Sequence, residues 1–222
     1  MPVRHVAATA VATFLLLAPC LLMPVRAADN PGVPEAGALN FEILRNGNAI
    51  GRHVIRFEKN GDDLEVRVEA KVDYRFGFIP LYRFEHRALE VWRDGNLLRM
   101  SATTNDNGAD YRIDLRQNGA GLVLTVNDTE TVLSPDLQLA SLWNIALVKQ
   151  NRILDPADGE LMSVTIADAG ADSIQIDGRD VATRHYVMTG DFERELWYDA
   201  RNVLRQVRFH GDDGSEIRYA LR

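Results

Sequence analysis

The sequence predicts an all-β domain, mainly antiparallel, built on a long curled sheet with one helix packed against it. Three observations predict this fold. Asn-Gly and Asp-Gly dipeptides recur eight times between short alternating segments, and they supply the positive φ angles of tight hairpin turns. Residues 64–76 alternate apolar and charged side chains without a break. Residues 135–149 are apolar nearly all round and carry helix-start signals.

The first 27 residues have the layout of a secretory signal peptide. Arg4 lies in a short basic region, and an apolar run extends over residues 6–23. Val25-Arg26-Ala27 then places small residues for cleavage before Ala28. Cleavage near Ala27/Ala28 predicts a periplasmic or secreted protein that does not span a membrane once the signal has been removed.

Two alternatives to a cleaved signal are disfavoured. An uncleaved anchor needs a continuous helix, which Pro19 and Pro24 interrupt. A lipidated Cys20 is a poor fit because Pro19 directly precedes it and the apolar run continues beyond it. The single cysteine therefore leaves with the signal, so the mature chain has no disulfide, thiol nucleophile or thiolate metal ligand.

The mature chain is acidic. Loss of Arg4 and Arg26 lowers the 25 basic residues to 23, against 32 acidic ones. This balance excludes the electrostatic footprint of a nucleic-acid-binding protein, and an anionic bilayer would repel the chain. The composition also excludes a disordered, collagen-like or polytopic membrane chain.

Residues 28–38, rich in Pro and Gly, are predicted to be a flexible leader, and residues 39–222 a single domain. The alternation and the turns predict about 11 to 13 strands. They lie at residues 39–46, 50–58, 64–76, 81–93, 97–105, 111–115, 121–127, 161–168, 172–177, 180–189, 192–199, 202–210 and 215–221. In the strand over residues 64–76 every even position is apolar or tyrosine and every odd position is charged, so one face meets a core. A strand of about 40 Å requires a sheet that twists and curls.

The helix is predicted from its start. Ser134 is a suitable N-cap, Pro135 suits the first helical position, and Asp136 places an acid in the first turn. The apolar residues that follow indicate a helix sandwiched against the sheet.

The turn over residues 76–82 is unusually apolar for a connection between two long strands. It either folds back onto the core or forms the lip of an apolar cavity, with Trp143 on the predicted helix as a wall. The second interpretation predicts a ligand-binding set of Phe78, Ile79, Leu81, Tyr82, Phe84 and Trp143.

No catalytic residue, metal ligand or cofactor is predicted. The histidines lie apart on strands, and His53 and His86 share the phase of apolar neighbours, so they are expected to be hydrogen-bonded structural residues. The acidic pairs Asp155/Asp158, Asp168/Asp172 and Asp212/Asp213 lie in turns without calcium-loop spacing and are expected to be solvated. No nucleophile elbow or phosphate loop occurs.

Several segments resemble an exported bacterial family of unknown function. They are residues 41–47 (FEILRNG), 82–87 (YRFEHR), 90–95 (EVWRDG), 196–199 (LWYD) and 217–219 (IRY). That family is similar, at the level of fold, to the periplasmic lipoprotein-localisation factors. The resemblance implies a curled antiparallel half-barrel with a helix on its concave side and an apolar ligand cavity, and it assigns no catalytic residue.

These observations predict an exported non-enzymatic protein that binds or carries a lipid-like or other apolar ligand. The alternative is a cell-envelope protein-interaction module that docks a partner protein through a sheet edge or the 76–82 turn. A hydrolase with spatially paired carboxylates is a third interpretation. A dry-walled cavity above about 300 Å³ favours the first, and a flat apolar patch favours the second.

Overall fold

The computed structural model describes residues 32–119 and 121–222, which form one sheet of 15 strands. The predicted signal peptide and residues 28–31 of the predicted leader lie outside the described residues. The strands are β1 (Ala38–Arg45), β2 (Asn48–Asn60), β3 (Asp63–Phe76), β4 (Ile79–Arg93), β5 (Asn96–Asp106), β6 (Ala109–Gln117), β7 (Leu122–Val126), β8 (Thr129–Leu133), β9 (Gln138–Leu139), β10 (Arg152–Leu154), β11 (Leu161–Ile176), β12 (Arg179–Gly190), β13 (Arg194–Tyr198), β14 (Leu204–His210) and β15 (Glu216–Leu221).

The sheet is an up-and-down meander whose first and last strands pair with each other. Its spatial order runs from β8 through β1 and then from β15 to β9. β1 and β15 are antiparallel, with Phe41 opposite Leu221 and Arg45 opposite Ile217. All pairs are antiparallel except the short parallel pair of β9 and β10. The two free edges, β8 and β9, are therefore adjacent in sequence, which is the arrangement of a barrel left open at one seam.

Four of the eight Asn-Gly and Asp-Gly dipeptides have the predicted hairpin conformation, and in the other four only the glycine has a positive φ. Positive φ occurs at both residues of Asn46-Gly47, Asp94-Gly95, Asn107-Gly108 and Asp177-Gly178. Two consecutive positive φ angles define the turn that matches the twist of an antiparallel hairpin. Local sequence thus determines where the strands reverse.

The alternation in β3 places one face in the core, as predicted. Leu64, Val66, Val68, Ala70 and Val72 are all buried. The alternation ends near the turn, where Phe76 is exposed. The core lies on this concave side, and the segment between β9 and β11 packs into it.

The predicted helix over residues 135–149 is wrong. Gln138 and Leu139 pair with β10 as a strand, and the Ala140 N–H donates to the Leu154 carbonyl over 2.8 Å. The described part of this segment contains only a 3-10 helix, Ile145–Lys149, whose N-cap is Asn144. The Ala140 N–H therefore bonds to a neighbouring strand, and the rest of the segment forms irregular turns and the short 3-10 helix. The segment is apolar because it crosses the core, where Leu139, Trp143 and Leu147 are buried.

The strand boundaries also differ from the prediction. Residues 161–168 and 172–177 belong to one strand, β11, which continues through a bulge between Asp168 and Gly170. The prediction missed β8, β9 and β10, which have five residues or fewer. β9 and β10, with two and three residues, carry too few alternating positions to be recognised.

Contacts across the seam show how far the sheet curls. The turn between β10 and β11 reaches β7, where a side-chain carbon at Gly159 would lie 2.5 Å from Val126 Cγ2. Gly159 also has a φ of 82°, which side chains rarely adopt. Glycine is thus required at the point where the two halves of the curled sheet meet.

Candidate functional site

The concave side of the sheet encloses a cavity of about 850 Å³. Inward-facing residues of β1 to β5 and β13 to β15 form its walls, and residues 140–143 and the turn between β10 and β11 complete it. The apolar wall residues are Ile43, Ile50, Ile55, Val68, Ala70, Val72, Leu81, Phe84, Ala140, Leu142, Trp143, Phe192, Phe209 and Ile217.

Glu90 fixes the floor of the cavity. Its fully buried carboxylate accepts hydrogen bonds from Trp92 Nε1 at 2.8 Å, from Trp143 Nε1 at 3.1 Å and from the Ser141 hydroxyl. Burial raises the pKa of Glu90, while these three donors lower it. The Tyr198 hydroxyl donates to the Leu142 carbonyl at 2.7 Å. Glu90 and Tyr198 thereby hold the irregular 140–143 segment inside the sheet.

Two histidines lie in one row across the wall. His53 in β2 is opposite Ala70 in β3, and Ala70 is opposite His86 in β4. The His86 ring Nδ1 pairs with the Thr104 hydroxyl at 2.9 Å, as expected for a structural histidine. His53 differs from the prediction, because both of its ring nitrogens are buried and have no hydrogen-bond partner among the described residues.

Burial keeps both imidazoles neutral. Loss of solvation lowers the pKa of His53 to about 4, with a smaller effect from the charge of His86, and burial lowers the pKa of His86 to about 4. The His53 ring meets Tyr219 edge-on at 5.4 Å between ring centroids and Phe41 at 6.3 Å. At neutral pH this wall therefore presents uncharged imidazoles among aromatic rings.

Arg194 brings a cation into the cavity. Its guanidinium carbon lies 3.7 Å from the ring centroid of Phe209 and 4.0 Å from that of Phe192, so two phenyl rings sandwich it. Nη1 donates to the Glu193 carbonyl at 2.6 Å. Burial lowers the pKa of Arg194, and no described carboxylate forms an ion pair with it.

Asp155 is the acidic side chain whose environment differs most from the prediction. It was expected to be a solvated turn residue, but burial raises its pKa to about 6. The Ala157 N–H donates to its Oδ1 at 2.7 Å and works against this shift, as does the positive charge of Arg194. Desolvation dominates because this turn is pressed against β7.

The open end of the cavity lies where β3 turns into β4 and β14 into β15. Arg45 pairs with Asp213 there and donates to the Ser215 hydroxyl at 2.9 Å. Its guanidinium carbon is 4.3 Å from the Tyr74 ring centroid. Of the two arginines that line the cavity, Arg45 is thus neutralised and Arg194 is not.

The predicted ligand-binding residues fall into two groups. Leu81, Tyr82, Phe84 and Trp143 line the cavity, with Trp143 on the floor rather than on a helix. Phe78 and Ile79 do not line it, because they lie at the tip of the β3–β4 hairpin, where Phe78 is 99% exposed. The 76–82 turn therefore does not fold back onto the core and instead projects at the open end.

Sequence reasoning missed Glu90 and Arg194. The alternation pattern pointed to both residues. Glu90 lies on the same strand face as the buried Ala88 and Trp92, and Arg194 lies on the same face as the buried Leu196 and Tyr198. A charged residue in the phase of a core face is a candidate for a buried site.

The described residues contain no group of three or more His, Cys, Asp or Glu side chains placed to hold a metal ion. Among the same residues, no helix is both long and apolar enough to cross a membrane.

Comparison with known proteins gives a family and a fold. Residues 41–222 match the model of a domain of unknown function, DUF6134. No curated protein matches the sequence. The chain is similar in structure to a beta-barrel-like protein of domain of unknown function DUF1849 from Brucella abortus, with a TM-score of 0.59 and 10% identity. That similarity covers 83% of this chain and 94% of the Brucella chain, and it supports the curled β fold alone. Neither comparison indicates a catalytic family or shows the resemblance to the lipoprotein-localisation factors.

Proposed function

The chain belongs to the DUF6134 family of unknown function, and from that premise we propose that it is an exported, non-enzymatic protein that holds a lipid-like or other apolar molecule in its cavity. The observation that carries the proposal is the cavity itself. Its volume of about 850 Å³ lies within the range of about 300–1,000 Å³ typical of small-molecule sites.

The chemistry of the wall supports an amphiphilic ligand over a purely apolar one. Aliphatic and aromatic side chains from six strands form most of the surface, which favours binding through buried apolar area. The wall is not uniformly dry, because His53 and Arg194 present polar groups to the same space. A molecule with an apolar chain and one polar group would match both features.

The exposed hairpin tip gives the ligand a route of entry. Phe76, Phe78 and Ile79 project beyond the sheet at the open end, while Leu81 and Tyr82 continue from the tip into the cavity wall. An apolar surface that is continuous with the cavity would let an acyl chain move inward without full exposure to water.

The second candidate function is docking of an envelope protein. The same hairpin tip favours it, because exposed apolar residues commonly mark interaction sites, and β8 offers a free edge with Val132 exposed. The cavity favours the carrier, since a docking module has no need of a concave apolar space of about 850 Å³. The hydrolase interpretation lacks support from a catalytic family.

Native mass spectrometry of the protein purified from its own compartment tests the carrier. We expect a co-purifying mass of lipid size that organic solvent removes. Ala70→Phe should reduce this mass, because the new ring fills the space between the two imidazoles, whereas the outward-facing control Glu69→Gln should retain it. Protein that is free of ligand, and remains so after exposure to a total lipid extract, would contradict the proposal.

A further inference from the structure

We infer that Arg194 is an anion anchor, so that the cavity's ligand is an amphiphile with an acidic head group, a carboxylate or a phosphate. This inference rests on the proposed carrier function and names the chemical class of its ligand.

The first step is that Arg194 is a cation without a counter-charge in contact. The other arginines near the cavity and on β14 are neutralised: Arg45 pairs with Asp213, Arg205 with Asp199 and Arg208 with Glu195. No described carboxylate pairs with Arg194, whose hydrogen bond goes to its neighbour's carbonyl. Burying a charge without a partner is costly, so a cation of this kind indicates a missing anion.

The second step is geometry. Phe192 and Phe209 cover the two faces of the guanidinium, at 4.0 and 3.7 Å from its carbon. Stacking of this kind fixes the plane of the group and leaves only its N–H edge for hydrogen bonds. Nη1 already uses one of its donors, so the remaining N–H groups are available to two oxygen atoms of one ligand.

The third step is the polar surface beside Arg194. Phe209 meets Tyr219 at 6.0 Å and Tyr219 meets His53 at 5.4 Å, so these rings form a continuous strip across β14, β15 and β2. Both ring nitrogens of His53 are buried and have no hydrogen-bond partner among the described residues. Buried polar groups in proteins are nearly always paired, so these open positions point to a polar atom of a ligand.

The charges of Asp155 and Glu193 both act on Arg194, and the other carboxylates that line the cavity are Glu90, Asp106, Asp158, Asp212 and Asp213. Asp155 is the cavity-lining carboxylate whose charge reaches Arg194, but its Oδ1 accepts from its own loop at the Ala157 N–H, 2.7 Å away, and it makes no ion pair with the guanidinium. Removing this charge should therefore strengthen anion binding.

The test compares ligands of one chain length and three head groups: palmitate, hexadecyl phosphate and hexadecanol. Each displaces the neutral fluorescent probe N-phenyl-1-naphthylamine from the full mature protein. Wild type should bind one or both acids about tenfold more tightly than the alcohol, because hydrogen bonds to a charged group are stronger than neutral ones. Which acid binds more tightly identifies the head group as a carboxylate or a phosphate.

Variants assign the preference to Arg194. Arg194→Gln should remove the preference for acids and leave hexadecanol affinity unchanged, and Arg194→Lys should keep part of it. Asp155→Asn should increase it, and Arg87→Gln, which removes an exposed arginine of β4 outside the cavity, should leave it unchanged. Near-ultraviolet circular dichroism confirms that each variant is folded.

Equal affinity of wild type for acid and alcohol, or an acid preference that survives in Arg194→Gln, would overturn the anion anchor and leave the carrier function standing. Failure of every ligand, and of the probe, to bind wild type would overturn the carrier function and the anchor with it.

Discussion

Val68 and Glu69 are neighbours in β3 with opposite surroundings. Val68 is buried and faces Ile55 and Ala88 across the sheet, whereas the Glu69 carboxylate pairs with Arg56 at 3.3 Å on the outer face. Val68→Asp should lower the free energy of unfolding by about 3 kcal/mol or more, because it buries an unpaired charge. Glu69→Gln should change it by less than about 0.5 kcal/mol, since exposed pairs contribute little. Urea unfolding measures both free energies. Equal losses in the two variants would mean that Val68 does not face the core.

His53 makes the stability depend on pH. Its pKa is about 4 in the folded protein, against 6.5 ordinarily. The unfolded chain therefore binds a proton between these values while the folded chain does not, so His53 contributes stability that is lost as pH falls through this window. Asp155, with its raised pKa of about 6, has the opposite sign and partly offsets the loss.

His53→Phe should reduce this dependence, because the phenyl ring fits among Phe41 and Tyr219 and does not titrate, while His86, whose pKa is also lowered to about 4, keeps its own contribution. Between about pH 7 and pH 4.5 wild type should lose about 2 kcal/mol more of its free energy of unfolding than the variant. Unfolding curves at the two pH values give the difference. Parallel losses in both proteins would show that His53 is not buried as a neutral ring.

The sequence predicts which strand residues point into the core, but it does not predict which residues lie opposite one another on neighbouring strands. Alternation correctly placed His53 and His86 on the inner face, but only the register across β2, β3 and β4 sets Ala70 between them. The hydrogen-bond partners of a buried charge are even harder to predict. Glu90 accepts hydrogen bonds from Ser141 and Trp143, which lie some 50 positions further along the chain.

At the scale of elements, the β3–β4 hairpin extends beyond the core. Phe78 and Ile79 are exposed at its tip, so replacing both by serine should lower the free energy of unfolding by less than about 1 kcal/mol. Phe41→Ser, in the core, should lower it by about 3–5 kcal/mol because it leaves a cavity. Chemical unfolding measures all three proteins.

The carrier proposal adds an expectation for binding. The tip double variant should take up a fluorescent fatty acid more slowly or more weakly than wild type, because the apolar route into the cavity is lost. A variant that unfolds much more easily yet binds normally would contradict the role of the hairpin as a lip.

The segment over residues 134–149 shows the limit of local signals. Ser134, Pro135 and Asp136 favour a helix start, and the residues that follow have adequate helix propensity. Tertiary contacts override this local preference. Residues 138–140 form backbone hydrogen bonds with β10, and the side chains of Ser141 and Trp143 donate hydrogen bonds to Glu90. Hairpin turns could be predicted because their conformation depends only on the two residues at the centre of the turn.

For the whole molecule, the turns predict a meander of antiparallel strands, but they do not predict that its first and last strands pair. The pairing of β1 with β15 joins residues about 180 positions apart, and no local pattern encodes it. The cavity depends on that pairing, because only one continuous curled sheet brings β2 to β4 opposite β13 and β14.

The most direct test of the account is photo-crosslinking with a fatty acid that carries a diazirine on its acyl chain, followed by peptide mass spectrometry. The reagent labels whatever lies beside the bound chain. The account predicts saturable adducts on inward-facing residues of β3, β4 and β15, such as Val72, Phe84 and Ile217, which unlabelled palmitate prevents. Adducts confined to the outer face, or to the exposed tip at Phe78, would contradict a ligand held inside the curled sheet.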